Sequence, residues 1–426
     1  MAIDKEKCAE IIEAFDVRQD ALRKIAEDFQ ADMRKGLAGD PASSMRMLKS
    51  YVGLPTGKET GEFLALDFGG TNVRALRILL KGGGDYEVLK KVTKPLVFEG
   101  VYDFVSAASE AKDQFDFIAG LIDEVIEENH ETPYLLGHTF SFPSAQTNLY
   151  DARLITWTKE FATKGVEGEI VNDLLKAALD RIGALNVRPV AVINDTVATL
   201  LAAAYKTPDT YIGSIYATGQ NTCYLEPFTG TSERAMIINM ESGGFSKIMP
   251  SKYDEILDAA SEKAGEQRME KMVAGRYMGV LYSLALADLL GSDSAYNFTS
   301  IDLSAIVEDA YLDRHLAAEI LERETGERFS QPECVLLQQL AAAIIVRSAR
   351  LVAASYVGIL LHLTGNGEIT EQTIAIDGSV YEKMPLVKEE LRNTFDELLG
   401  ADAASIRIVL ENDGSGLGAS IAACIA

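Results

Sequence analysis

Apolar residues recur along this chain with two different periods, and the switches between them mark out its elements. Between residues 4 and 38, Ile11, Phe15, Leu22, Ile25, Phe29 and Met33 fall largely three or four positions apart, with charged residues between them. That spacing predicts one long amphipathic helix, ending near 36–39 ahead of Pro41. A Gly-, Pro- and Thr-rich linker over 51–61 follows, and the period then shortens. Apolar runs at 63–66, 73–80 and 86–92, separated by turns at 67–72 and 81–85, predict a β-meander. Phe115, Ile118, Leu121, Ile122 and Val125 form the stripe of a helix over 115–129. Strands are expected at 135–142 and 190–193, with a helix over 168–179 between them. The second half repeats this order: a helix at 197–205, strands near 211–216 and 222–226, and helical stretches over 253–290 and 304–362. Strands at 373–376 and 406–410 come next, and an Ala/Ile-rich helix follows the second of them.

Four of these strands run into turns of similar design. Asp67-Phe68-Gly69-Gly70-Thr71-Asn72 is echoed by Thr218-Gly219-Gln220-Asn221, then by Asp377-Gly378-Ser379, and finally by Asp413-Gly414-Ser415-Gly416-Leu417-Gly418. A glycine beside Thr, Ser or Asp leaves backbone N–H groups open to an anion, and glycine tolerates positive φ. The last two turns also lead into helix-capable sequence, whose N-terminus favours negative charge. Any one of them reads as an ordinary turn; the four together read as a nucleotide cradle. None is a Walker A loop or a Rossmann Gly-x-Gly-x-x-Gly.

With 426 residues and a 47% hydrophobic composition, the chain has enough material for a large core and two domains. Its net charge of −24 argues against nucleic acid or an anionic membrane as partner, and requires any ATP site to make its own positive potential. No signal peptide is visible. The most apolar stretch, 336–363, carries Arg347, Arg350 and His362, so a buried core helix is expected rather than a membrane span. Four scattered cysteines (Cys8, Cys223, Cys334, Cys424) and four histidines lack metal-like spacing, and a reduced cytoplasmic protein is expected. Cys223, beside the second turn, reads as a small buried side chain.

The motifs along the chain resemble those of the hexokinase family, sugar kinases of the actin-like ATPase superfamily. Leu54-Pro55-Thr56-Gly57-Lys58-Glu59 and 63–74 resemble the first phosphate loop and its approach. Thr139-Phe140-Ser141-Phe142-Pro143 and Trp157-Thr158-Lys159 resemble the sugar segment, and Ile193-Asn194-Asp195-Thr196 the catalytic-base motif. Ala217-Thr218-Gly219-Gln220-Asn221 resembles the second phosphate loop, and Asn239-Met240-Glu241 and Glu270-Lys271-Met272 two further sugar contacts. Asp377-Gly378-Ser379-Val380-Tyr381 and Asp413-Gly414-Ser415-Gly416 resemble the adenosine-side motifs.

The resemblance implies an α/β, two-lobed actin-like (ribonuclease H-like) fold, each lobe a mixed five-stranded sheet flanked by helices. The small lobe would be 61–195 plus 411–426, and the large lobe 1–60 plus 196–410. It implies an ATP-dependent hexokinase acting on the 6-hydroxyl of a hexose, most simply glucose, as a monomer or homodimer. Asp195 would be the general base, although an Asp at a strand end also suits a helix cap. Ser141, Thr158, Lys159, Asn194, Asp195, Asn221, Glu241 and Glu270 would hold the sugar, whose ring of hydroxyls demands buried amides and carboxylates. Asp67, Gly69, Gly70, Thr71, Asn72, Arg74, Thr218, Gly219, Asp377, Gly378, Ser379, Gly414, Ser415 and Gly416 would hold the nucleotide, with Mg²⁺ reached from Asp67 through water. Lys159 would be the cation at the transferring group, while Arg74 equally suits structural pairing. Trp157 reads as packing. Two departures stand out: Ala217 replaces the usual Gly, where a positive φ would strain it, and Ser242 stands where an aromatic is common. A mannokinase or fructokinase, a non-catalytic sugar sensor and another actin-like ATPase are the alternatives.

Overall fold

The computed structural model describes residues 3–127, 129–158, 161–227 and 234–426. Two helices come first, α1 (Lys5–Glu13) and α2 (Gln19–Leu37). A five-stranded sheet follows, made of β1 (Thr60–Phe68), β2 (Asn72–Gly82), β3 (Asp85–Pro95), β4 (Tyr134–Phe140) and β5 (Val187–Ile193), in the order β5-β4-β1-β2-β3. The first three strands form the expected antiparallel meander, and β4 and β5 add in parallel. Helices α3 (Ala111–Ile126) and α4 (Val171–Ile182) pack together beside it, and α5 (Asp195–Lys206) leaves the end of β5.

The second sheet repeats this plan strand for strand. Its members are β6 (Thr210–Tyr216), β7 (Gln220–Glu226), β8 (Met236–Asn239), β9 (Gln372–Asp377) and β10 (Ile406–Leu410), and their order β10-β9-β6-β7-β8 matches that of the first sheet. Again three strands run antiparallel and two add in parallel. A two-residue strand, Leu48–Lys49, extends the edge beyond β8. Between β8 and β9 lie α6 (Lys252–Ala260), α7 (Arg268–Val273), α8 (Gly275–Leu290), α9 (Ser300–Glu308), α10 (His315–Thr325) and α11 (Gln331–Thr364). Short α12 (Ser379–Lys383) and α13 (Val387–Leu399) follow β9, and α14 (Gly414–Ile425) leaves β10 as α5 leaves β5.

Helices α5 and α14 pack on each other between the sheets. Their approach is close because side chains are missing where they touch. A Cβ on Gly418 would lie 2.2 Å from the Ala198 carbonyl oxygen, and one on Gly137 of β4 only 1.8 Å from that of Ala419. Gly213 of β6 does the same for the other face of α5, since its Cβ would meet Leu200 Cβ at 2.6 Å. These distances are far inside van der Waals contact, so any larger residue would force the elements apart.

The spacing-based expectation of a single helix over 4–38 is corrected to two. The chain breaks at Ala14–Arg18 because its two halves follow different surfaces: α1 packs on α8 and α11, α2 on α11 and α13. Phe15, buried at the break, stacks on Tyr253 (centroids 5.4 Å apart, 11° between planes) and lies 4.7 Å below the Arg347 guanidinium. The helical stretches over 253–290 and 304–362 each break into shorter helices; β8 and α13 are absent from the expected elements, although Val387, Leu391 and Phe395 recur at helical spacing in α13. Helix α11 is long and apolar enough to cross a membrane, yet 83% of its most apolar window is buried inside the protein, as expected of a core helix. Its Arg347 makes a buried two-pronged ion pair with Asp254 of α6, at 2.7 and 2.8 Å. Burial alone would raise the Asp254 pKa, but Arg347 and Ser251 hold it below its ordinary value.

Two stability predictions follow from buried groups. Arg347→Met strands the Asp254 charge and should cost about 3–5 kcal/mol in urea unfolding; a loss under 1 kcal/mol would show the pair to be dispensable. His138, wholly buried on β4, has no partner for either ring nitrogen among the described residues, and burial lowers its pKa to about 3. The unfolded chain takes up that proton near pH 6.5 and the folded one does not, so stability is held above pH 6.5 and lost as pH falls. The slope is about 1.4 kcal/mol per pH unit below about pH 6. His138→Leu should remove that component between about pH 6 and pH 4; an unchanged pH slope would refute it.

Candidate active site

The two topologically equivalent turns, β1–β2 and β6–β7, are the first and second glycine-rich segments of the sequence. In the first, Asp67 is buried at the end of β1, while Gly70, Thr71 and Asn72 are exposed. Arg74, directly opposite Asp67 in the ladder, reaches its Oδ2 at 3.4 Å and Asp413 Oδ1 at 3.0 Å. Arg74 thus makes the structural pairing that was one of its two expected roles. The Leu96 amide donates to the Thr71 carbonyl at 3.0 Å and ties the turn to the segment after β3.

The second turn is held by the start of α8. Gly275 N–H donates to the Ala217 carbonyl at 2.9 Å and Arg276 N–H to that of Thr218 at 3.2 Å, while Ala217 N–H closes the turn on the Gly219 carbonyl. Ala217 is not among the described residues with positive φ, so the strain expected of alanine there does not arise. Nor do Gly69, Gly70 or Gly219 take positive φ; what these glycines contribute is an unobstructed backbone. The residue that has to be glycine is Gly378, at φ +134°, where a Cβ would lie 2.4 Å from the Tyr216 carbonyl oxygen and 2.7 Å from the Ala217 methyl. The Ala217 methyl thus packs against the Asp377-Gly378-Ser379 turn. In the fourth segment, a Cβ on Gly414 would lie 3.1 Å from Thr199 Cα and one on Gly416 3.1 Å from Leu76. The Ser415 carbonyl accepts from Thr139 Oγ1 at 2.9 Å. These residues seat α14 on β2, β4 and α5.

Asn194, not Asp195, caps α5: its Oδ1 accepts from the Thr196 amide at 2.9 Å and from the Thr196 hydroxyl at 2.7 Å. Asp195 is the first helical residue, and its Oδ1 also accepts from the Thr196 amide, at 2.8 Å. Next to Asn194 a cavity of about 240 Å³ opens between the sheets, lined among others by Phe142, Pro143, Ser144, Asn239 and Glu241. A polar chain stiffens its far wall. Asn221 Nδ2 donates to Asn239 Oδ1 and Asn239 Nδ2 to Glu241 Oε1, both at 2.9 Å, while Asn221 Oδ1 accepts from Thr222 and Ser242 amides at 2.7 and 3.2 Å. Ser242 is fully buried, with its hydroxyl on Gln220 Oε1, so a small polar residue fills the place of the usual aromatic. Glu270 Oε2 accepts from the Gln220 amide at 3.0 Å and lies against Gly219.

Asn194 and Glu241 are therefore brought to one cavity, with Asn221 behind Glu241 through Asn239. Ser141 lies between Phe140 and Phe142, which both line it. Half-buried Thr158 is not among its lining residues, and Lys159 lies outside the described residues. Trp157 is packing: its Nε1 donates to the Thr163 carbonyl at 2.8 Å, and its ring meets Phe142 and Phe161. Cys223 is sealed, its thiol directed at the Thr196 carbonyl and its pKa raised by burial. Asn239 and Gln220, which link the sugar-side residues, were given no role from sequence although both lie inside recognised motifs.

Carboxylates crowd the other side of Asp195. Burial, followed by Asp195, Glu411 and Asp413, pushes the Asp377 carboxyl up to about 6, and Arg74 opposes them. Among the described residues no group of three or more His, Cys, Asp or Glu is arranged to hold a metal by itself.

The hexokinase family model matches this chain in two parts, residues 7–205 and 211–425. Hexokinase-1 of Schizosaccharomyces pombe is 32% identical over 98% of this chain and 90% of its own length, and hexokinase-1 of Oryza sativa subsp. japonica 37% identical over 99% and 91%. A hexokinase crystal structure superposes with a TM-score of 0.88 at 31% identity, covering 99% of both chains. The hexokinase of Schistosoma mansoni, solved as a glucose complex, gives 0.83 at 30% identity, covering 99% of this chain and 98% of that one. Two topologically equivalent sheets, each with a glycine-rich turn between its first two strands, and this likeness over nearly the whole length, make the chain a member of the hexokinase family, an ATP-dependent kinase of hexoses.

Proposed function

We propose that this hexokinase phosphorylates glucose at its 6-hydroxyl, with Asp195 as general base and the cavity beside Asn194 as the sugar site. The observation that carries the reading is the position of Asp195. It is the first residue of a buried helix and directly follows the capping Asn194, which lines a cavity whose opposite wall includes the Asn239–Glu241 end of the Asn221–Asn239–Glu241 chain. A sugar there meets amides and a carboxylate already oriented by one another, so the 6-hydroxyl is presented in one geometry. Asp195 accepts its proton as the hydroxyl oxygen attacks the γ-phosphorus. Phosphoryl transfer needs little covalent help, so alignment and charge neutralisation carry most of the rate.

Thr71, Asn72, Thr218 and Gly219 hold the phosphates in this reading, and the Gly378-Ser379 turn and Gly414 lie on the adenosine side. Asp67 would be the protein carboxylate that holds Mg²⁺, which would supply positive charge to the phosphates of ATP; such an ion needs only one or two protein carboxylates. Closure of the lobes keeps water from the γ-phosphate. Glucose is favoured by the Schistosoma mansoni relative, which was solved with that sugar; mannose and fructose are the competitors.

Asp195→Ala should lower kcat by about 10²–10⁴-fold, with glucose Kd by calorimetry changed less than a few-fold; near-normal turnover would exclude Asp195 as base. Glu241→Gln should raise the glucose KM by about tenfold or more and leave the ATP KM within twofold. Equal changes in both would remove Glu241 from the sugar site. A panel of glucose, mannose, fructose and glucosamine, scored by kcat/KM, decides the substrate, and a higher value for mannose or fructose would replace glucose.

A further inference from the structure

Glu411 is the carboxylate that the site described above leaves without a task. It is buried at the end of β10, its amide donating to the Ile376 carbonyl at 2.9 Å, and its Cγ lies where a Cβ on Gly414 would come within 3.1 Å. A buried carboxylate requires a partner, and the partner is Lys206, whose Nζ stands 2.6 Å from Glu411 Oε1. Lys206 is the last residue of α5, the helix that Asp195 begins, so the two sit roughly 16 Å apart along one rigid element. Its ammonium also lies 5.4 Å from the Tyr86 ring on β3, and the hairpin before that residue presses on it: a Cβ on Gly84 would be 2.9 Å from Lys206 Cα. The lysine therefore joins the meander of the first sheet, the end of the shared helix, and the strand that leads into the Asp413-Gly414-Ser415-Gly416 segment.

The electrostatic consequence falls on Asp377. That carboxylate is half-buried and feels the charges of Asp195, Glu411 and Asp413, which Arg74 opposes. Arg74 is already divided between Asp67 and Asp413. In a chain of net charge −24, one more uncompensated negative charge here would oppose the arrival of a polyphosphate.

We propose that Lys206 is a positioning residue for MgATP: it acts through Glu411, cancelling that buried charge so that the nucleotide side of the cleft accepts a polyanion. The proposal rests on the nucleotide site assigned above. It separates charge from packing, because Glu411 without Lys206 harms the site while the loss of both charges does not.

The test uses Lys206→Met, Glu411→Gln, the double variant and Lys206→Arg in the full chain, assayed at pH 8 with glucose and MgATP. Lys206→Met should raise the ATP KM about five- to tenfold and leave the glucose KM within twofold. The double variant should return the ATP KM to within about twofold of wild type, and Lys206→Arg should stay near wild type. A merely structural hinge contact would give a double variant no better than Lys206→Met, or would move both KM values together; either result, or a wild-type ATP KM in Lys206→Met, overturns the proposal. Thr218→Ala, assayed in parallel, judges the nucleotide site by itself. A raised ATP KM there with none in Lys206→Met defeats only the Lys206 inference, whereas an unchanged ATP KM in Thr218→Ala defeats the site assignment.

Discussion

The close packing of α5 between β6 and α14 is the constraint on which the rest of this molecule depends. Gly213 and Gly418 lack the side chains that would keep those elements away, and Gly137 lets α14 settle on β4 in turn. Because α5 touches both sheets, its first residues are fixed relative to both glycine-rich turns at once. The base role proposed for Asp195 requires that fixity, since a base displaced by even an ångström from a bound hydroxyl loses much of its advantage. Packing glycines remote from Asp195 thus set its position. Substitutions at them should damage activity together with stability.

The duplicated plan of the sheets explains why two short turns could identify so large a machine. Each turn joins the first two strands of its own sheet, and each sheet releases a helix, α5 or α14, from its last strand. The equivalence is topological and not chemical. The first turn carries buried Asp67, already engaged by Arg74, whereas the second is pinned by α8 and leads through Asn221 into the chain that ends at Glu241. The proposed division of labour, metal-bearing phosphates on one half and phosphate with sugar on the other, follows this chemical difference.

Local signals in the sequence were sufficient for every numbered strand except β8, because alternation and turn residues are encoded within a few positions. They were sufficient also to single out Asn194 and Glu241, which lie in contiguous motifs and line one cavity. What they could not convey was tertiary. The break at Phe15 follows from which helices α1 and α2 meet, and the pattern of Ile11, Phe15 and Leu22 is the same with or without it. The tolerance of Ala217 depends on its φ and on Gly378 across the gap, and neither is visible from a comparison of residue types. Glycines at 414–418 looked alike as a phosphate turn, but Gly416 and Gly418 are accounted for by Leu76 and Ala198. The Lys206–Glu411 pair spans 205 residues, and no local pattern could announce it.

An acidic protein that binds ATP must solve a problem of charge, and here the solution is local. Asp67 shares Arg74 with Asp413, and Glu411 has Lys206, so two cations serve three of the carboxylates near the nucleotide turns. Against Asp195, Glu411 and Asp413, Asp377 has the opposing charge of Arg74, and its pKa is nevertheless raised. On the proposed reading, a cation carried by the nucleotide would relieve this crowding. The helix that carries Asp195, the proposed base, at its first residue brings a compensating lysine at its last. On that reading alignment and electrostatic compensation share one element, and a change that tilts α5 would disturb both together.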